Sequence, residues 1–195
     1  MDDLPTFDKV PITCKSSDCD NDKHCYRPKR GQWKADGVRG ECQACGDKSV
    51  DMSVTRALDA SNPEAIFAQL GREFIRDRFL SISIDEKGRR QIRKEGVESI
   101  KARVAAHLWS RIGPEPNMWD GRQTPLTGSV LNMAQHATAT CCRKCLYYWY
   151  GVPRDRPLND REKEFCESMV VAYLDRRRAD LLAIEVDDGL DGTKT

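Results

Sequence analysis

Eight of the nine cysteines in this 195-residue chain fall in two short regions, and each region also holds a histidine. No other feature limits the fold as much. Thiolates and imidazoles are the ligands that soft and borderline metals prefer. Residues 1 to about 50 carry few large apolar groups and turn chemistry at Gly31, Asp36-Gly37, Gly40 and Gly46. Core burial cannot hold such a segment together, and a bound ion supplies the missing stabilisation. The chain reads first as a metal-binding protein with two sites.

The redox compartment decides how the thiols are read. Met1-Asp2-Asp3-Leu4-Pro5 lacks the basic and apolar regions of a signal peptide. The apolar runs are far shorter than the roughly 20 residues that span a bilayer. A cytoplasmic location without a membrane partner is expected, and there clustered cysteines are metal ligands rather than disulfides. Cys166, in Glu164-Phe165-Cys166-Glu167, stands outside both clusters as a buried free thiol. With 32 basic against 31 acidic residues, the overall charge names no partner.

In the first cluster, Cys42-Gln43-Ala44-Cys45-Gly46 has the form of a zinc knuckle. Two intervening residues let a turn present both sulfurs to one ion, and the glycine tolerates the positive dihedral such turns need. Cys14 and Cys19 are the simplest partners, giving four thiolates. His24 and Cys25 are rival ligands, and spacing does not decide among six candidates for four places. A closed tetrahedral site folds the segment and does no chemistry. It does present Lys15, Lys23, Arg27, Lys29, Arg30 and Lys34, with Tyr26 and Trp33 interleaved, as a face able to contact nucleic acid.

The second cluster is Gln135-His136-Ala137-Thr138-Ala139-Thr140-Cys141-Cys142-Arg143-Lys144-Cys145. Cys142 and Cys145 have CxxC spacing at an expected helix start, where free amides favour thiolates. His136 and Cys141 are the other candidate ligands. A closed zinc site leads. If only His136, Cys142 and Cys145 ligate, a fourth position opens and the site can be catalytic. An iron–sulfur cluster and a metal-free thiol nucleophile activated by His136 complete the alternatives. The zinc deaminase pattern fails, because Thr138 stands where its glutamate is needed.

Apolar periodicity makes the remainder helical. One helix is expected over about 62–80 behind Ser61-Asn62-Pro63-Glu64, and another over 86–111 behind Asp85. Further helices are expected from Gly128 or Ser129 to His136, from Cys141 to Tyr150 closed by Gly151, and from Asn159 to about 184. Between Gly71 and Arg111, eleven Lys or Arg oppose six Asp or Glu. Arg89, Arg90, Arg93 and Lys94 form the densest part, a face able to neutralise phosphates. Arg122, Gln135 and Arg143 either line a small anion pocket or, with Gln123, Thr138 and Thr140, hold the ligands by hydrogen bonds.

Asp120-Gly121-Arg122-Gln123-Thr124-Pro125 followed by the block Gln135 to Cys145 resembles an uncharacterised bacterial domain-of-unknown-function family with a GRQTP…QHATATCCRxC core. The resemblance covers about 117–180, including the turn Gly151-Val152-Pro153 and the cap at Asn159-Asp160-Arg161-Glu162. In that family a histidine often occupies the position of Tyr150. The resemblance implies a shared role without supplying an activity.

The expected fold is mainly α. A zinc-ribbon-like β/turn module over 1–52 precedes a helical domain over 53–186 built around the second Cys/His site, and 187–195 form a flexible acidic tail. The expected function is a protein binding two zinc ions that recognises DNA or RNA, or docks a protein partner in a nucleic-acid-handling system. The alternatives are a metal-dependent hydrolase or nuclease at an open His136/Cys142/Cys145 site, and an iron–sulfur or thiol redox sensor.

Overall fold

The computed structural model describes residues 13–29, 40–113 and 123–186. Arg30, Lys34, Arg122 and the tail 187–195 lie outside the described residues. Within them the protein is mainly helical. β structure is limited to two isolated bridges, Asp18 with Lys23 and His24 with Glu73. The expected ribbon therefore has no strand among the described residues. A tight loop around a 3-10 turn at Cys19–Asn21 takes its place, and Asp22 closes it in the left-handed region at φ 55°.

Helix α1, Met52–Arg56, starts at Asp51, whose carboxylate accepts from Ser53 N–H. Five residues are too few for a periodic signal, so only the Asp51 cap marks it in the sequence. Thr55 Oγ1 donates to the Trp149 carbonyl at 2.6 Å and ties α1 to the body.

Helices α2, Pro63–Leu70, and α3, Phe74–Ser81, replace the single expected helix. Asn62 caps α2 with Pro63 in its first turn. The stripe Ile66, Phe67, Leu70, Ile75 and Phe79 is buried as expected. The break at Gly71-Arg72-Glu73 comes from outside the helix. His24 N–H donates to Arg72 O at 2.8 Å, and Phe74 N–H donates to His24 O at 2.9 Å. One residue of the N-terminal segment thus occupies backbone groups that a continuous helix would use for itself.

The next expected helix also divides, into α4 Glu86–Glu95, α5 Val97–Ala102 and α6 Val104–Ile112. Asp85 caps α4, and Gly96 at φ +76° ends it.

Helix α7, Val130–Ala137, is buried on every side and packs against α3, α4 and α9. Helix α8, Arg143–Tyr150, ends at Gly151 in the left-handed region, as its sequence implies. Helix α9, Asp160–Arg176, opens with a full Asn159/Glu162 capping box. Arg177 separates it from α10, Arg178–Val186.

A single apolar cluster runs through the molecule and takes in Tyr26, Cys42, Val50 and Met52 with the helical core. Tyr26 is 0% exposed and meets Trp149 edge-on, ring centroids 6.1 Å apart. Burying a large side chain this fully stabilises by about 1.5–3 kcal/mol, which anchors the N-terminal segment on α8. Among the described residues no helix is long and apolar enough to cross a membrane.

Candidate metal centres and a basic cleft

Cys19, His24, Cys42 and Cys45 bring one ligand atom each within 4.8 Å of one another. Cys19 Sγ lies 3.8 Å from Cys42 Sγ, and Cys45 Sγ lies 3.4 Å from His24 Nδ1. A tetrahedral zinc with metal–sulfur bonds of about 2.3 Å and metal–nitrogen bonds of about 2.0–2.1 Å gives edges of about 3.8 Å and 3.6 Å. The four groups fit a single ion of that kind. The expected all-thiolate set differs in one member, since His24 stands where Cys14 was expected. The cause is the loop from Asp18 to Lys23, which turns His24 back over Cys19, whereas Cys14 lies beyond it.

The surroundings hold these groups in place. His24 Nε2 lies 2.9 Å from Asp22 Oδ1 and 3.6 Å from Asp47 Oδ2. A carboxylate on the far ring nitrogen fixes the tautomer and leaves Nδ1 for a metal. Cys42 Sγ accepts from Cys25 N–H at 3.4 Å. Burial works against a Cys42 thiolate, but the amides of Cys25, Cys45 and Ala44, with His24, outweigh it and bring the thiol down to about 6. Gly46, at φ +80°, donates to Cys42 O and closes the knuckle turn. Cys25 places its own Sγ 3.4 Å from Cys14 O, outside the group of four.

Cys141, Cys142 and Cys145 form the second group. Cys142 is the residue that precedes the first turn of α8, and Cys141 Sγ lies 3.5 Å from Cys145 Sγ. Buried polar side chains set the loop between α7 and α8. Gln135 Nε2 donates to Thr140 O at 3.0 Å, and its Oε1 accepts from Thr124. Thr138 Oγ1 bonds Ala134 O and Thr140 Oγ1, Tyr150 OH donates to Thr138 O, and Gln123 Oε1 accepts from Arg143 N–H. Ala139, with φ +55°, makes the turn that stacks the thiols.

Two residues that the sequence reading missed complete this centre. Arg76 on α3 is 1% exposed and Glu73 2%. Arg76 Nε donates to Glu73 Oε2 at 3.0 Å, Nη1 to His136 O at 2.5 Å and to Cys141 Sγ at 3.7 Å, and Nη2 to Cys145 Sγ at 3.1 Å. Trp149 Nε1 donates to Glu73 Oε2 at 3.1 Å. Burial opposes the Arg76 charge, but Cys145, Cys141 and Glu73 more than offset this and hold it protonated. The signal available in sequence was a charged pair three residues apart inside the apolar stripe of an expected helix.

His136 is outside the mutual reach of these three thiols. Its ring stacks on Phe79 at 4.9 Å, and Nε2 lies 3.1 Å from Pro125 O. Nδ1 is buried with no hydrogen-bond partner among the described residues. Burial, then Arg76, lowers its pKa and keeps the ring neutral. Cys14 instead comes to this centre. It lines with Cys142, Cys145 and Arg76 a cavity of about 20 Å³, the room one water or one ion needs.

The candidate basic contacts divide. Arg143 is 1% exposed and donates to Pro153 O, Arg156 O and Ile112 O. It is a loop brace without a surface for phosphate, and Gln135, bonded at both ends, forms no anion pocket with it. Arg90 and Arg93 both reach Glu86, at 3.5 and 3.0 Å, as on a solvated helix face. Arg89 is half-buried and Lys94 exposed. Lys29 belongs to a cleft of about 580 Å³ lined by Lys15, Cys25, Arg27, Pro28, Lys29, Gln43 and Lys144. Among the described residues, four cations and no carboxylate line it. Arg27 and Lys144 also line the small cavity beside Cys14, so the cleft adjoins the second centre.

No solved structure matches the chain. Residues 64–175 match the model of the family described as Domain of unknown function (DUF4186). The matched span is more than half of the chain and contains Glu73, Arg76, His136, Cys141, Cys142 and Cys145, so this protein is a member of the DUF4186 family.

Proposed function

We propose that the protein binds two zinc ions, one at Cys19, His24, Cys42 and Cys45 and one at Cys141, Cys142 and Cys145 around the start of α8, and that it recognises the phosphate backbone of DNA or RNA in the adjoining basic cleft. The observation that carries recognition is the lining of that cleft, where Lys15, Arg27, Lys29 and Lys144 come together. Its volume of about 580 Å³ lies within the about 300–1,000 Å³ of small-molecule sites, enough for a few nucleotides. Spacing supports single ions over an iron–sulfur cluster: the Cys141 and Cys145 sulfurs stand 3.5 Å apart, close to the edge of about 3.8 Å in a tetrahedral zinc–thiolate site.

The test is metal analysis of the purified full chain, followed by titration with labelled single-stranded DNA and RNA over a range of salt. Two zinc ions per chain are expected. Four neutralised phosphates give a slope of log affinity against log salt of about −3 on single strands. A Lys15→Glu/Lys29→Glu variant loses at least about tenfold in affinity, since each charge reversal repels a phosphate. Absence of salt-dependent affinity for any nucleic acid defeats the recognition reading.

A second reading has its own support. Only three thiols of the second centre lie within mutual reach, and an ion held by three ligands keeps a position for water. That reading makes the protein a metal-dependent phosphodiesterase or nuclease, and zinc-dependent cleavage of the same oligonucleotides tests it.

A further inference from the structure

We propose that Cys14 is the fourth ligand of the second centre, so that one ion held by Cys14, Cys141, Cys142 and Cys145 joins the two walls of the basic cleft and makes anion binding there conditional on that ion. The second half of this inference rests on the cleft being the recognition site; the ligand assignment stands without it.

Cys14 reaches the centre from a segment about 130 positions away in sequence and outside the family match. Its Sγ lies outside the mutual reach of the other three, yet Cys14 lines the cavity that Cys142 and Cys145 also line. An ion entering that cavity has Cys14, Cys142 and Cys145 on its walls, with the Cys141 sulfur 3.5 Å from that of Cys145. His136 does not line it; its ring stacks on Phe79 and its Nε2 faces Pro125 O, and Nδ1 is the one ring nitrogen left without a hydrogen-bond partner among the described residues. The Cys14 backbone is itself held: Ser16 N–H donates to Thr13 O at 3.0 Å, and Cys14 O accepts from Cys25 Sγ at 3.4 Å.

Charge supports the same set. A divalent ion with four thiolates carries two negative charges, which a buried site holds only with donors and a compensating cation nearby. Arg76 is both. It places Nη1 and Nη2 on Cys141 and Cys145. Three thiolates would leave the ion with a single negative charge and less call for a buried guanidinium.

The coupling follows from chain connectivity. Lys15 is the residue after Cys14, and Lys144 precedes Cys145; both line the cleft. Once Cys14 and Cys145 share an ion, the two walls carrying these cations are fixed against each other. Without the ion, the Cys14 wall is held only by its turn and the Cys25 contact. A cleft whose walls are preset binds a polyanion more tightly because less ordering remains to be done on binding.

The experiment uses the full chain loaded with zinc, or with cobalt as a coloured substitute, and a labelled single-stranded DNA oligonucleotide as the probe. Wild type is expected to hold two ions. Cys14→Ser is expected to hold one tightly, to lose the part of the cobalt–thiolate absorption that the second centre contributes, and to bind the oligonucleotide at least about tenfold more weakly. Cys14→His restores the second ion with a shifted cobalt spectrum, and it decides the matter if Cys14→Ser does not fold. Two ions and an unaltered cobalt spectrum in Cys14→Ser overturn the ligand assignment, as does loss of the second ion in His136→Ala alone. Loss of the ion with undiminished oligonucleotide affinity overturns the coupling. If wild type ignores the oligonucleotide while the metal results hold, the recognition reading fails and the ligand assignment stands.

Discussion

Arg76 places its Nη2 3.1 Å from the Sγ of Cys145, and the same guanidinium holds Glu73 through Nε. A cation in contact with both a carboxylate and thiols, and 1% exposed, is the element on which charge balance in the second centre depends. Removing one member of such a buried pair strands the other charge, at about 3–5 kcal/mol. Arg76→Gln should therefore lower the denaturation free energy of the zinc-loaded protein by about that amount. Glu73→Gln/Arg76→Gln should cost less than the sum of the two single changes. Additive losses in denaturant titrations would show that the pair is not coupled.

Asp47 acts at the first centre through His24. Its carboxyl is held down near 2 by the Ser49 hydroxyl, which outweighs burial, with help from the Ser49 amide, Tyr26 and His24. It is ionised at every pH at which the thiols bind metal. Partners behind a ligand imidazole are worth about 10–100-fold in affinity. Asp47→Asn should weaken zinc at this centre by that factor, read by competition with a chromophoric chelator, while the second ion stays bound.

Glu162 gives the fold a pH dependence separate from the metals. Burial pushes its carboxyl up, but the Arg156 guanidinium and the Asn159 amide outweigh this and leave it below the usual glutamate range. A folded-state value below the unfolded one contributes stability above the unfolded pKa of about 4.3 and loses it as pH falls through the folded value. Wild type should exceed Glu162→Gln in stability at pH 7, by about 1 kcal/mol for a capping interaction. The difference should shrink steadily once pH drops below about 4.3. A gap that widens on acidification would contradict this assignment.

Gly151 ends α8 at φ +71°. A side chain there costs about 1–2 kcal/mol in the left-handed region. Gly151→Ala should lower the thermal midpoint without altering zinc content, because the strain falls at the far end of the helix from Cys142 and Cys145.

Local signals told the truth where structure is made locally. Asp85 and Asn159 cap the helices they were expected to cap, Asn62 caps α2 where the Ser61–Glu64 box put Ser61, Gly151 stops α8, and the stripe from Ile66 to Phe79 is buried. The sequence also shows which residues are ligand candidates, because thiols at this density have few other uses. It cannot show which candidates meet. Cys14 and His24 exchange places relative to the simplest pairing because a six-residue loop reverses the chain at Asp18 and Lys23. Arg76 and Glu73 were invisible as members of a centre because their partners, Cys141, Cys145 and Trp149, are about 65–76 positions away.

His24 belongs to two structures at once. Its imidazole sits among the thiols of the first centre, and its peptide group is wedged between α2 and α3. Residues 63–81 have the periodicity of one rod, and the wedge falls at its bend after Gly71. The residue that offers a ligand atom to the first centre is thus also the one that sets α3, with Arg76 on it, at an angle to α2.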